Sequence, residues 1–149
     1  MEPRKLLVMK ILDENDQHKI EGRTRLQKLV FLAQKESTSD LPSTYTFVPY
    51  DYGPFSANLL DEVEALNDSG YVEEREVRGP HGKKYIYELT DEGEEAVLEE
   101  LAGLERNDRE AIEQTAGFVE GMFSDTPISR LLEHVYNNYP KYAEESVLT

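Results

Sequence analysis

The chain has 149 residues with 31 acidic and 16 basic side chains, a formal charge of −15, and neither cysteine nor tryptophan. That length predicts one domain with a real core and room for an appendage, and the missing cysteines exclude disulfides, thiol catalysis and thiolate metal sites. No apolar run reaches the ~18 residues of a membrane span, and the opening Met1 to Lys5 has no signal-like apolar stretch, so a soluble, cytoplasmic protein is expected.

The charge is uneven. Residues 1–35 carry eight bases (Arg4, Lys5, Lys10, Lys19, Arg23, Arg25, Lys28, Lys35) against five acids. From Asp91 onward fifteen acids face four bases, while Arg78-Gly79-Pro80-His81-Gly82-Lys83-Lys84 has three bases and no acid. A surface rich in Glu and Asp and poor in Lys fits a protein of a high-salt cytoplasm, which makes the stretches that stay basic the informative ones; an acidic protein of an ordinary cell is the alternative.

In chain order, Glu2-Pro3 opens a first helix with Leu6, Leu7, Ile11 and Leu12 on an apolar stripe. Asp13 to Gly22 reads as a polar loop. Thr24-Arg25-Leu26-Gln27 fits a capping box ahead of a second helix ending near Glu36, with Leu26, Leu29, Val30 and Ala33 at helical spacing. Ser37 to Asp40 is loop-like, and Tyr45 to Tyr50 is short, aromatic and extended. Gly53-Pro54 predicts a turn into a third helix that buries Phe55, Leu59, Leu60, Val63 and Leu66 and stops at Gly70. Tyr71–Val77 and Lys83–Leu89 form a hairpin around Gly79-Pro80-His81-Gly82. Asp91 and Glu94 cap a helix to about Arg106. Two further helices follow, about Asp108–Phe123 and, capped by Thr126, about Pro127–Tyr139 with Ile128, Leu131, Leu132 and Val135 inward.

Three helices, a hairpin and more helices predict a mainly α fold with a small antiparallel β-hairpin: a winged helix-turn-helix domain over 1–106 and a C-terminal helical extension over 107–149 that either pairs two copies as a homodimer or packs as an intramolecular helical subdomain. In such a fold the third helix enters a DNA groove and the wing reaches the backbone. Arg78, Lys83 and Lys84 are then candidates for phosphate contact from the wing, although an exposed tip also carries lysine for solubility and edge protection. Arg23, Arg25 and Lys28 form a second basic group at the start of the second helix, either a backbone clamp or a solvated face paired with Glu. The third helix has Asp61, Glu62, Glu64 and Asp68 and no base, which leaves Ser56 and Asn58 to approach bases. The turn Tyr50-Asp51-Tyr52-Gly53-Pro54 presents Tyr50 and Tyr52 as an interaction edge, or packs structurally on the second helix.

Three segments carry a family resemblance: Arg23 to Ala33 (RTRLQKLVFLA), Tyr50 to Ser56 (YDYGPFS) and Tyr85 to Gly93 (YIYELTDEG). Together they resemble YwgA-like proteins, themselves similar to the Panacea (SocA-like) antitoxin domain. Val135-Tyr136 with Tyr139-Pro140 also looks YwgA-like, and Tyr85 to Gly93 is similar to the wing end of PadR-like and MarR-like regulators. The resemblance implies a winged helix. It implies a protein partner as well, because Panacea domains act by binding proteins such as toxins, and it carries over no catalytic residue. The long connection between the second and third helices departs from the tight turn of a PadR-like or MarR-like reader.

His18, His81 and His134 are isolated, no glycine-rich phosphate loop occurs, and any pair among so many carboxylates could be proposed as acid and base. The sequence therefore predicts a non-enzymatic protein without cofactor or metal. A salt-adapted winged-helix transcriptional regulator on double-stranded DNA is expected first. A protein-interaction module of antitoxin or adaptor type, using the acidic helices or the tyrosine turn, is the alternative.

Overall fold

A computed structural model describes residues 1–147. It is mainly α with β: six α-helices, α1 (Pro3–Glu14), α2 (Arg23–Glu36), α3 (Ala57–Asp68), α4 (Asp91–Ala102), α5 (Arg106–Phe123) and α6 (Ile128–Asn138), with a 3-10 turn at Pro140–Ala143 and five short strands. Strands β1 (Lys19–Glu21), β4 (Val72–Gly79) and β5 (Gly82–Leu89) make an antiparallel sheet in the order β1-β5-β4, and β2 (Val48–Tyr50) with β3 (Gly53–Phe55) makes a separate hairpin.

Helix α1 is the axis of the molecule. Leu6, Leu7, Val8, Met9, Ile11 and Leu12 are all at most 1% exposed, so the stripe expected on one side extends around most of the helix. It contacts α4, α5, β1 and β5, which leaves little of it for water. The core continues through Leu26, Leu29 and Phe31 of α2, Leu59 and Val63 of α3, and Tyr87 of β5, to Ile112 and Val119 of α5 and Leu131 and Val135 of α6. Residue 107, the expected domain boundary, lies at the start of α5, and a single core spans it. Met122 and Ile128 are the large apolar side chains that α5 and α6 leave exposed among the described residues.

Several local expectations are corrected. The polar stretch 13–22 contains β1, which pairs Ile20 with Tyr87 and buries it; an edge strand of three residues is too short to show alternation. Helix α2 starts at Arg23 with no side-chain cap, because Gln27 is committed elsewhere: its Nε2 donates to the Ser56 carbonyl (3.0 Å) and its Oε1 accepts the Ser56 N–H (2.9 Å). Gly53-Pro54 does not lead directly into a helix. It is strand β3, paired Pro54 to Pro49, and Phe55 is only half-buried. Thr90, not Asp91 or Glu94, caps α4 by accepting the Gly93 N–H (3.0 Å), and the helix stops at Ala102 rather than Arg106. Thr126 caps nothing, and Ile128 is 39% exposed rather than inward. Gly70, at φ +82°, does end α3 as expected. Among the described residues no helix is long and apolar enough to cross a membrane.

Candidate functional site

The β2–β3 hairpin is held against α2 from below. Asp51 and Tyr52 make its two-residue turn, Tyr50 pairs with Gly53 and stacks on Phe55 with ring centroids 5.0 Å apart. Gly53 sits at φ +93°, and a Cβ there would come within 3.1 Å of Tyr136 and 3.3 Å of the Lys28 stem, so glycine is required by both backbone and space. Lys28 Nζ passes under the hairpin and donates to the Pro54 carbonyl at 2.8 Å. Burial pushes its amine down to about 7. The result is a cleft of about 320 Å³ walled by Leu26, Leu60, Phe55, Tyr50 and Tyr52, with the two tyrosines half exposed at its rim.

Arg23 forms another side of this cleft and faces a second one. Its guanidinium lies 3.8 Å from the centre of the Tyr85 ring, donates to the Tyr87 hydroxyl (3.2 Å) and pairs with Glu74 (3.3 Å). Beyond it Glu64, Asn67 and Asp68 of α3 and Glu74 and Glu76 of β4 line an open groove of about 390 Å³ with Tyr85. Asn58, Asp61, Glu64, Asn67 and Asp68 are the exposed polar residues along α3, so its outward surface is acidic apart from the two asparagines. Tyrosine cleft and acidic groove are therefore adjacent, joined by a cation that is already neutralised.

The structure disperses the expected basic clamp. Lys28 is 2% exposed and cannot reach phosphate without leaving the core. Arg25 Nη1 donates to the Thr126 carbonyl (2.8 Å), tying α2 to the α5–α6 connection. Ser56 is buried and caps α3 by accepting the Leu59 N–H (3.2 Å), so it is not available to bases, whereas Asn58 is exposed. At the tip of the β4–β5 hairpin, Arg78, Lys83 and Lys84 are exposed around the Pro80-His81 turn, but each has an acid nearby: Glu76 at 3.3 Å from Arg78 and 3.7 Å from Lys83, and Glu21 at 2.8 Å from Lys84. The Lys84 ammonium holds the Glu21 carboxyl below its ordinary range.

Sequence reasoning missed the groove because its acids come from two elements, and missed Gln27 because the amide looked like a cap. Among the described residues, Asp13, His18 and Glu94 are the one group of three potential metal ligands within 4.8 Å of one another. Asp13 is already paired there with Lys10 (2.7 Å), which supplies the cation itself.

No family model matches the chain. A segment of 80 residues is 32% identical to "Uncharacterized protein YwgA" of Bacillus subtilis (strain 168), covering 53% of this chain and 46% of that protein. The chain is similar to YwgA. It spans about half the length of the relative it matches.

Proposed function

We propose that this protein is a non-enzymatic winged-helix module that binds a basic segment of a partner protein, with an apolar anchor in the tyrosine cleft and Lys or Arg along the acidic groove. The observation that carries this reading is the row of carboxylates, Glu64, Asp68, Glu74 and Glu76, on the α3–β4 face that a winged helix turns toward DNA. A phosphate backbone is repelled there and a cationic chain is attracted. The winged-helix assignment is supported by the order α1, β1, α2, α3, β4, β5, with the β2–β3 hairpin inserted between α2 and α3 and β1 added to the β4–β5 hairpin through β5. An apolar cleft with aromatic rim beside a charged track is the usual division between affinity and orientation at a peptide site.

The test is fluorescence anisotropy with a labelled Lys- and Arg-rich peptide carrying one central Leu, set against a DNA duplex of similar length, across a KCl series. The peptide is expected to bind better than the duplex. Changing its Leu to Ser, or Glu64→Lys with Asp68→Lys in the protein, should weaken it about tenfold. Duplex binding that outcompetes the peptide would overturn the reading.

One observation favours a second reading, DNA binding through the wing: Arg78, Lys83 and Lys84 are exposed together at a hairpin tip. On that reading Lys83→Glu with Lys84→Glu weakens duplex binding across sequences and flattens its salt slope.

A further inference from the structure

A cleft of about 660 Å³ shares no residue with the tyrosine cleft or the acidic groove. It opens between the end of α1, strand β1 and the last turns of α5, and five carboxylates line it: Glu14, Asp16, Glu21, Glu120 and Asp125. Glu120 differs from the other four. It is 6% exposed; Asn15 Nδ2 donates to its Oε2 (3.3 Å), and its Oε1 is buried with no hydrogen-bond partner among the described residues. A buried acceptor without a donor is a costly arrangement that a ligand N–H relieves.

The α5 wall supplies a second, independent feature. Gly117 and Gly121, one turn apart, line the cleft, and a Cβ at either would meet nothing within 4 Å. Two glycines on the exposed face of a helix lower its stability, here with no packing reason among the described residues. Their absent side chains leave the helix backbone open to close approach by something else.

We propose that this cleft binds an extended organic cation of the diamine or guanidino-amine class, with one nitrogen donating to Glu120 and the other held by the outer carboxylates. A compact metal ion fits less well. The carboxylate oxygens here do not converge, since the one convergent group of three among the described residues is Asp13, His18 and Glu94, outside this set. Lys19 and Arg25 also line the cleft, but Lys19 lies 3.8 Å from Glu21 and Arg25 donates to the Thr126 carbonyl, so neither answers Glu120. Burial pushes the Glu120 carboxyl up to about 7, against the Asn15 hydrogen bond and reinforced by Asp125, Asp16 and Glu14. A cation selects the ionised form, so binding releases a proton and weakens as pH falls from 8 to 6.

Calorimetric titration of the full chain with putrescine and with agmatine at fixed KCl, at pH 8 and pH 6, tests this. Saturable binding at pH 8, weaker at pH 6, is expected, with at least about a tenfold loss in Glu120→Gln. Gly117→Ala is the second variant: it should raise the thermal midpoint of the free protein, because alanine favours helix, and still weaken binding by filling the cleft. Absence of binding, equal binding by wild type and Glu120→Gln, or displacement of the diamine by equimolar Mg²⁺ would each overturn the proposal.

Discussion

Lys28 shows how little a side chain's formal charge says about its use. It stands in the basic run that begins α2, yet its ammonium lies beneath the tyrosine hairpin with a carbonyl as its partner and no ion pair among the described residues. Its folded pKa, about 7, lies below the ordinary value of 10.5. Between those values the unfolded chain holds a proton that the folded chain does not, so stability rises with pH across that window; below 7 both states are protonated and the penalty stays full. Urea unfolding at pH 7 and pH 9 is expected to show wild type gaining about 2 kcal/mol, and Lys28→Met losing that gain. An equal pH response in the two proteins would mean that the amine is not buried in the folded state. The sequence could not convey this, because Arg25 and Lys28 share a helix and differ only in whether the hairpin covers them. Gln27 was obscure for a related reason: a capping amide and a tertiary clamp look identical until Ser56 is beside it.

At the scale of elements, long periodic segments were legible and their junctions were not. Helices α1, α2, α3 and α5 and the β4–β5 hairpin follow from apolar spacing and from glycines at turns. The extended reading of Tyr45–Tyr50 anticipated β2, whereas β1, β3 and the pairing of β2 with β3 escaped because each strand is three residues long and takes its partner from elsewhere in the chain or across a tight turn. The α4 junction shows what such a join demands. Thr90 caps the helix while its hydroxyl donates to the Gly70 carbonyl (2.6 Å), and a Cβ at Gly93 would run into the Tyr71 carbonyl and Leu89. The start of α4 therefore presses directly on the start of β4. Gly93→Ala is expected to destabilise by about 3 kcal/mol or more, since backbone must move to admit the methyl. A thermal midpoint within a degree of wild type would refute that contact.

For the whole molecule, the charge of −15 sits mostly outside the first 35 residues, and many of the described cations are already paired. Unpaired carboxylates repel one another, and salt screens them over a length that falls to about 3 Å at 1 M. Thermal unfolding should therefore rise by about 5–10 °C between 0.1 and 2 M KCl. A rise that continues above 0.5 M, where screening is nearly complete, is what salt adaptation requires; a plateau there indicates ordinary charge repulsion. The candidate site was partly legible at this scale. The acidity of α3 and the exposure of the tyrosine turn were readable, but their adjacency depends on where Arg23 lies. The Glu120 cleft was not, since one carboxylate among 31 carries no mark of its burial.

The enclosed position of α1 bears on the order in which the chain acquires its shape. Residues 3–14 are made well before α5, one of the helices that cover them, which ends at residue 123. Until α5 is translated, a sticky, nearly all-round apolar helix waits for its lid. Its contacts with α5 are among the most distant in sequence, which slows folding and lengthens the exposure. A chain that lacks α5 therefore exposes this apolar helix, and completion of α5, rather than of the β4–β5 hairpin, is what closes the core.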